Sequence, residues 1–282
     1  MLARFLVAFY FFVHGKMRLP GAGWLLRKLA PYHPDLQQFP LVIPEVGTAI
    51  IDFRDEAVFA LLNFSLGEYG HDRALLKLMS RELKPGYVLW DVGANIGYLA
   101  QHFARPEFRL AEIHAFEPNP AALKMLQTLF RSHARVRIHP IGLGAVREQR
   151  QLYVYGHSSP LGSIVRDLPG AAPVTISIFP ADTYLGENEI ALPDIIKIDV
   201  EGFEPQVFAG MQQTIRGKRP VIFFEHLLLE DETVRQLVPP DYELIFLLDD
   251  GTLTRDFGVR RRGANGVLVP VEKFHAFMAA AR

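Results

Sequence analysis

The segment of residues 89–97 reads Leu-Trp-Asp-Val-Gly-Ala-Asn-Ile-Gly and combines an acid with two glycines four positions apart. An apolar run ends in Asp91, and Gly93 and Gly97 leave room for a ligand to lie against bare backbone. The helix that follows directs its partly positive amino-terminal end at the same place. This pattern is typical of a buried strand that turns into a helix around a bound small molecule.

A second acid, Glu117, follows an apolar strand over residues 113–116 and lies twenty residues after Gly97. In open parallel sheets, ligands bind beyond the carboxyl ends of the strands, at the point where the strand order reverses. An acid that ends the second strand can accept both hydroxyl protons of a ribose. Asp91 and Glu117 together therefore predict a nucleoside site.

The glycine spacing distinguishes two nucleoside cofactors. A dinucleotide pyrophosphate usually requires Gly-x-Gly-x-x-Gly, whereas position 95 is Asn95 and the middle glycine is missing. Asp91 would also repel a phosphate and attract the ammonium group of an amino acid. The combination resembles the first motif of the Rossmann-like methyltransferases that use S-adenosylmethionine (SAM), and it argues against NAD. An NAD(P)-dependent oxidoreductase is kept as the alternative.

Two further carboxylates, Asp199 and Glu201, flank the carboxyl end of a strand over residues 195–200. We expect this strand to lie beside the first, so that the Asp199 side chain reaches the transferred methyl group. An acid at the end of a buried strand would otherwise be desolvated without compensation. Glu201 is equally well explained as an ordinary polar residue, and Glu204 as an acid that stabilises a helix start.

The strand over residues 221–224 is followed by Glu225 and His226. His226 is a candidate base for a substrate hydroxyl, and a solvated loop histidine is nearly as good an explanation. Asp199, Glu225 and His226 could instead hold a divalent ion. Because their spacing is not a tight metal signature, we predict no metal. The candidate catalytic residues are therefore Asp199, Glu201 and His226.

Five segments, in this order along the chain, resemble the FkbM-type methyltransferases: residues 91–97, 116–118, 141–144, 196–202 and 224–226. The similarity covers roughly residues 67–270. It implies SAM-dependent O-methylation of a hydroxyl on a sugar, glycolipid or secondary metabolite. The residues that it implies for SAM binding are Glu68, Asp91, Gly93, Ala94, Asn95, Gly97, Glu117, Pro118, Gly142, Leu143 and Asp199.

The resemblance also implies which part of SAM each residue contacts. Asp91, Gly93 and Asn95 would line its methionine side. Glu117 would bind the ribose hydroxyls, and Gly142 with Leu143 would border the adenine. Glu68 stands where the family carries an acid near the methionine end, although an ordinary turn acid explains it equally well.

The order of elements predicts an α/β fold. Strands alternate with helices from residue 87 onwards, which favours a parallel sheet with right-handed crossovers. The predicted strands cover residues 87–91, 113–116, 136–141, 195–200, 221–225, 243–248 and 267–271, with a helix over 204–215 and an inserted hairpin of 152–155 with 174–179. We therefore expect a Rossmann-like class I methyltransferase fold: a seven-stranded, mostly parallel sheet with an antiparallel edge hairpin.

The predicted methyltransferase domain spans residues 67–282, and residues 1–66 form an amino-terminal arm and accessory segment. The accessory segment is expected to contain a hairpin over 39–53 and a helix over 56–66, and a helix over 72–83 leads into the sheet.

The first 34 residues carry five basic side chains and no acid around the apolar run of residues 5–13. That run is shorter than the ~20 residues that a membrane span needs. It also lacks the small residues of a cleavage site, so we expect a cytoplasmic protein. Two interpretations are kept: an interfacial helix on an anionic membrane, or an arm that packs on the body or on a second subunit of a homodimer.

The overall composition limits the other function classes. A net charge of -1 provides no field that favours nucleic acid, and the absence of cysteine excludes disulfides, thiolate metal sites and a cysteine nucleophile. The expected partner is a small-molecule or glycan acceptor. The three arginines at residues 260–262 either form a solvated turn or bind an anionic substrate or lipid head group. A non-catalytic scaffold at a membrane is the third alternative for the function.

Overall fold

A computed structural model describes residues 2–10, 12, 22–43, 47–51, 53–54, 70–131, 133–155, 162–163 and 171–281. The helix predicted over 56–66, the predicted domain boundary at 66–67 and the candidate residue Glu68 lie outside these ranges.

The amino-terminal arm folds into short elements that pack together: α1 (Leu2–Tyr10), α2 (Ala22–Leu29), α3 (Pro34–Gln37), β1 (Phe39–Ile43) and β2 (Gly47–Ile51). β1 and β2 pair antiparallel, which confirms the hairpin predicted over 39–53. Val7 and Tyr10 of α1 join a hydrophobic cluster that also contains Ile96 of the predicted cofactor loop. The arm therefore packs on the body. In the described part of the chain, no helix is long and apolar enough to cross a membrane.

The strands that follow form two sheets. They are β3 (Val88–Val92), β4 (Glu112–Phe116), β5 (Val136–His139), β6 (Gly142–Leu143), β7 (Glu148–Tyr155), β8 (Gly162–Ser163), β9 (Ala171–Phe179), β10 (Ile195–Ile198), β11 (Val221–Glu225), β12 (Tyr242–Leu247), β13 (Leu253–Thr254) and β14 (Asn265–Pro270).

The central sheet has the order β13-β12-β14-β11-β10-β3-β4-β5. Neighbouring strands from β11 to β5 pair in parallel, and β14 pairs antiparallel with both β11 and β12. This confirms the predicted Rossmann-like, mostly parallel sheet with an antiparallel pair toward one edge. The two-residue β13 adds an eighth strand to the seven expected.

Helices cover both faces of this sheet: α4 (Gly70–Glu82), α5 (Tyr98–Phe103), α6 (Pro120–Leu129), α7 (Ala181–Asn188), α8 (Glu204–Ala209), α9 (Gln212–Lys218), α10 (Asp231–Gln236) and α11 (Val271–Ala280). Successive side chains of a strand point to opposite faces. Trp90, Ile196 and Phe224 accordingly join one hydrophobic cluster, and Leu89, Ile195 and Phe223 the other. Because both faces are buried, β3, β10 and β11 have mainly apolar sequences.

The helix predicted over 204–215 is interrupted, and α8 and α9 are separated at Gly210. A Cβ placed on Gly210 would lie 1.9 Å from the carbonyl oxygen of Gly144, so the helix approaches this backbone too closely for any side chain. The prediction of one helix was wrong because this contact comes from a distant part of the chain.

The insertion after β5 forms the second sheet, in the order β6-β9-β7-β8. β7 and β9 pair antiparallel, which confirms the predicted hairpin and extends both of its strands. β6 pairs with the end of β9 and ties this sheet to the chain directly after β5.

Candidate active site

The loop between β3 and α5 is held in a backbone conformation that favours glycine. The φ angles of Gly93, Asn95 and Gly97 are 79°, 51° and 85°. A Cβ on Gly93 would lie 1.8 Å from the carbonyl oxygen of Asp199, so the ends of β3 and β10 approach each other through bare backbone. Gly93 is thus required both for its φ angle and for this close contact.

Glu117 ties the same loop to the end of β4. Its Oε2 accepts a hydrogen bond from the backbone nitrogen of Asn95 at 2.8 Å, and its Oε1 accepts one from Asn119 at 2.7 Å. Burial raises the pKa of Glu117 to about 7, against the lowering effect of these two bonds. Each carboxylate oxygen keeps a second lone pair, so Glu117 can still accept hydrogen bonds from ribose hydroxyls.

Asp91 is 1% exposed, and its Oδ2 has no hydrogen-bond partner among the described residues. Burial raises its pKa to about 6, which the Lys197 ammonium opposes and the Asp199 charge reinforces. The buried Oδ1 of Asn95 also lacks a described partner. Because buried polar atoms are seldom left unpaired, these two acceptors indicate a ligand that brings its own donors. The ammonium group of SAM fits this requirement.

Gly142 and Leu143, the residues predicted to border the adenine, follow β5. A Cβ on Gly142 would lie 2.5 Å from Ile178 Cδ1 and 3.5 Å from Pro118 Cγ, so Gly142 and Pro118 are neighbours. Leu143 is 2% exposed.

The strand order β10-β3-β4-β5 sets the sequence of these groups along one edge of the sheet. Asp199 follows β10, the Asp91–Gly97 loop surrounds the end of β3, Glu117 follows β4 and Gly142 follows β5. The residues predicted for the amino-acid, ribose and adenine groups of SAM thus stand at the ends of β3, β4 and β5, in the order in which these groups occur along the molecule, and Asp199 flanks the end of β3. The fit with SAM supports the predicted contacts, which stay predictions residue by residue.

Lys197 is a site residue that the sequence analysis missed. Its ammonium lies 2.6 Å from Asp199 Oδ2, and the Lys197 side chain is 9% exposed against 38% for Asp199. A lysine within the apolar strand Ile-Ile-Lys-Ile was the available signal, because a lysine is seldom buried without a partner. Lys197 holds the Asp199 carboxylate at the exposed edge of the sheet.

Three carboxylates meet at this edge. Ligand oxygens of Asp199, Glu201 and Glu225 all lie within 4.8 Å of one another. Burial, followed by the charges of Asp199 and Glu201, raises the pKa of Glu225 to about 9, and Glu225 shares a hydrogen bond with Asp199. Two carboxyl groups share a hydrogen bond only when one of them carries a proton, and the raised pKa places this proton on Glu225. The trio has the oxygen ligands that divalent cations prefer, but the Lys197 ammonium already neutralises Asp199.

Glu204 orders the turn that carries Asp199. Its Oε1 accepts from the backbone nitrogens of Val200 at 3.0 Å and Gly202 at 3.4 Å. Burial raises the pKa of Glu204 to about 7. The predicted role of Glu204 at a helix start thus extends to a contact that fixes the end of β10.

His226 lies in the core and not with the carboxylates. The residue is 0% exposed, its Nδ1 lies 2.9 Å from an Arg260 guanidinium nitrogen, and its ring packs edge-on against Phe246. Burial and the Arg260 charge lower the pKa of His226 to about 4. Successive residues of an extended chain point to opposite sides, so His226 does not lie at the cleft with Glu225, and its prediction as the candidate base was wrong. Asp199, Glu225 and His226 therefore do not come together as a divalent-ion site. The third acid beside Asp199 and Glu225 is Glu201.

The arginine run is only partly at the surface. Arg260 is 1% exposed and donates to Asp231 and to the carbonyl oxygens of His226 and Leu229. The Arg260 guanidinium therefore links the segment after β11 to the segment before β14. The expectation of a solvated turn or an anion grip was wrong for Arg260, because its donors are used inside the protein.

We expect the affinity for S-adenosylhomocysteine to fall about tenfold per pH unit below about pH 6. Asp91 becomes protonated there, because its raised pKa is about 6, and a neutral carboxyl no longer attracts the ligand's ammonium group. Calorimetric titration between about pH 7.5 and about pH 5 measures this. Methylthioadenosine is the control, because it has the ribose assigned to Glu117 and the adenine but lacks the amino-acid group assigned to Asp91. Parallel losses for both ligands would contradict the Asp91 assignment.

Comparison with known proteins identifies the family. The FkbM methyltransferase domain matches residues 91–249, and this range contains the cofactor loop, Glu117 and the carboxylate trio. The hexuronic acid methyltransferase AglP of Haloferax volcanii is 27% identical over 168 residues, which cover 59% of this chain and 67% of that protein. The 31-O-demethyl-FK506 methyltransferase FkbM of Streptomyces tacrolimicus is 29% identical over 161 residues, with coverages of 46% and 62%.

A crystal structure of methyltransferase FkbM from Methylobacillus flagellatus aligns with a TM-score of 0.46 at 18% identity, and covers 87% of this chain and 60% of that one. The domain match favours methyl transfer over the nicotinamide oxidoreductase and the scaffold that the sequence left open. Because it extends over more than half of the chain, the protein belongs to the FkbM family of methyltransferases.

Proposed function

We propose that this methyltransferase transfers the methyl group of SAM to a hydroxyl oxygen of a sugar or a secondary metabolite. The observation that carries the proposal is the Lys197–Asp199–Glu225 cluster beside the cofactor loop. The two relatives support a sugar or a secondary metabolite as the kind of acceptor, since one is a hexuronic acid methyltransferase and the other a 31-O-demethyl-FK506 methyltransferase.

The cofactor side of the proposal follows the order of residues along the sheet edge. When bound, SAM supplies an electrophilic methyl group on a sulfonium sulfur. Asp91 would bind its amino group, Glu117 its ribose hydroxyls, and Gly142 with Leu143 its adenine. Burial of Asp91 strengthens its attraction for an ammonium group, because little water competes at the site.

Asp199 is the residue that we assign to the proton of the acceptor hydroxyl. Its side chain is 38% exposed, so an acceptor can reach it, whereas Asp91 is enclosed. The ammonium of Lys197 and the protonated carboxyl of Glu225 hold Asp199 in position and stabilise its negative charge. A positioned base of this kind contributes about 10²–10⁴-fold to the rate. Alignment of the two reactants contributes up to about 7–11 kcal/mol.

The charge of the cluster favours a hydroxyl over a carboxylate as the acceptor. Asp199 and Glu201 carry negative charges, and Lys197 balances one of them. An acceptor carboxylate would be repelled by the remaining charge. It would also need no base, because it is already ionised at neutral pH. A hydroxyl acceptor uses both the base and the hydrogen-bond acceptors that the cluster offers.

Methyl transfer from SAM labelled in its methyl group tests the proposal. The acceptors are neutral hexosides, hexuronic acids and polyketides with free hydroxyls. We expect label in at least one hydroxylated acceptor, as a methyl ether that survives alkali. Label found only in an alkali-labile methyl ester would contradict the hydroxyl assignment. Binding of NADH without binding of S-adenosylhomocysteine would contradict the cofactor assignment.

A further inference from the structure

The two helices of the amino-terminal arm each have one buried face and one exposed face. Val7 and Tyr10 of α1, and Leu26 of α2, are at most 4% exposed and lie in one hydrophobic cluster. Phe5 and Phe9 lie on the side of α1 opposite to these contacts, because residues three and four apart share a helix face. The arm is thus already folded on the body, and its outer side is left without a described partner of its own.

The outer side is unusually aromatic. Phe5, Phe9 and Phe12 are 65%, 43% and 53% exposed, and Phe5 stacks on Phe9 with ring centroids 6.4 Å apart. Trp24 of α2 is 61% exposed, and Tyr32 just beyond that helix is 80% exposed. Every exposed Phe, Tyr and Trp side chain in the described part of the chain lies within these first 32 residues. We call this surface the arm patch.

The charged residues in the first 34 positions of the sequence have one sign. The first 34 residues contain five basic side chains and no acid, and Lys28 lies over the Trp24 ring at 5.9 Å from its centroid. Since the whole chain has a net charge of -1, the remaining residues are net negative. An anionic surface would attract the arm and repel the body, which would orient the molecule. A second copy of the arm would instead bring like charges together.

We propose that the arm patch binds the surface of an anionic lipid bilayer, with its aromatic rings in the head-group region and its basic side chains on the lipid phosphates. Aromatic rings beside basic residues on a short amphipathic helix are the combination that such binding requires. In this arrangement α1 and α2 lie on the membrane surface. No described helix is long and apolar enough to cross a membrane. Ile96 of the cofactor loop belongs to the cluster beneath the arm, so the loop is held close behind the bound helices.

Vesicle flotation with the full-length protein tests the proposal. We expect binding to vesicles that contain phosphatidylglycerol, much weaker binding to phosphatidylcholine alone, and a decrease at high salt. The variant Phe5→Ser/Phe9→Ser/Trp24→Ser should lower the partition coefficient by about tenfold or more. Val146→Ser/Leu192→Ser/Val271→Ser, which removes three exposed apolar side chains outside the arm, is the matched control and should bind as the wild type does.

Tryptophan fluorescence gives a second measurement that needs no destabilising change. Trp24 and Trp90 are the two tryptophans of the chain, and Trp90 is 1% exposed. Brominated acyl chains should quench Trp24 in the wild type and should quench little in Trp24→Phe, where only the buried Trp90 remains. Wild-type protein that stays unbound to anionic vesicles would overturn the proposal. So would a dimer, seen by light scattering, that the aromatic triple variant converts to a monomer.

Discussion

Replacement of Asp199 by asparagine should lower kcat by about 10²–10⁴-fold, while the affinity for S-adenosylhomocysteine changes by less than about tenfold. Asn cannot accept the hydroxyl proton, and it also loses the charge that pairs with Lys197 at 2.6 Å. The cofactor's amino group is assigned to Asp91, which the substitution leaves in place. Steady-state rates with an acceptor identified by labelled methyl transfer, together with calorimetric binding, separate the two effects.

Two matched variants isolate the role of Asp199. Asp249→Asn removes an exposed acid in the turn after β12, and should leave kcat within about twofold of the wild type. Glu201→Gln removes one charge of the trio from an exposed position. It should lower kcat by less than about tenfold, because Glu201 is not the group assigned to the acceptor proton. An Asp199→Asn enzyme that keeps its full kcat would show that another group takes the proton.

Replacement of Gly93 by alanine should lower the free energy of unfolding by about 2–5 kcal/mol and abolish binding of S-adenosylhomocysteine. The φ angle of 79° is unfavourable for alanine and accounts for about 1–2 kcal/mol. The new Cβ would also lie 1.8 Å from the Asp199 carbonyl oxygen. The ends of β3 and β10 would have to separate, which displaces the cofactor loop and Asp199 together. Denaturant unfolding and calorimetry measure the two losses.

Gly86 provides the control for backbone strain. Its φ angle of 84° is close to that of Gly93, but a Cβ there would meet nothing within 4 Å. Gly86→Ala should therefore lower the free energy of unfolding only by the cost of the backbone conformation, about 1–2 kcal/mol, and should keep its cofactor affinity. Equal losses in the two variants would mean that the contact between Gly93 and Asp199 is unimportant.

The parallel sheet and its cofactor loop were predictable from the sequence because both depend on neighbours along the chain. A strand that is buried on both faces is mainly apolar, and β3, β10 and β11 are apolar except for Asp91, Lys197 and Glu225 near their carboxyl ends. A strand that turns at once into a helix around a ligand needs residues that tolerate positive φ, and Gly93 and Gly97 record this requirement. The acids that end the strands then indicate a polar ligand.

The groups that surround Asp199 could not be predicted in the same way. Lys197 shares its strand with Asp199, but Glu225 comes from the next strand in space and is brought there by the parallel pairing of β10 with β11. His226 had an apparently equivalent position in the sequence. It turned inward because Arg260, which is 34 residues away, supplies a buried partner for its ring nitrogen.

Residue types and local spacing thus determined the fold class, the cofactor loop and the position of the acids at the strand ends, since each follows from backbone geometry and burial within a few residues. Only the tertiary structure decided which acid is buried and which is exposed, which carboxyl keeps its proton and which histidine leaves the cleft. Those properties depend on desolvation and on charges a few ångströms away, and the packing of distant segments sets both.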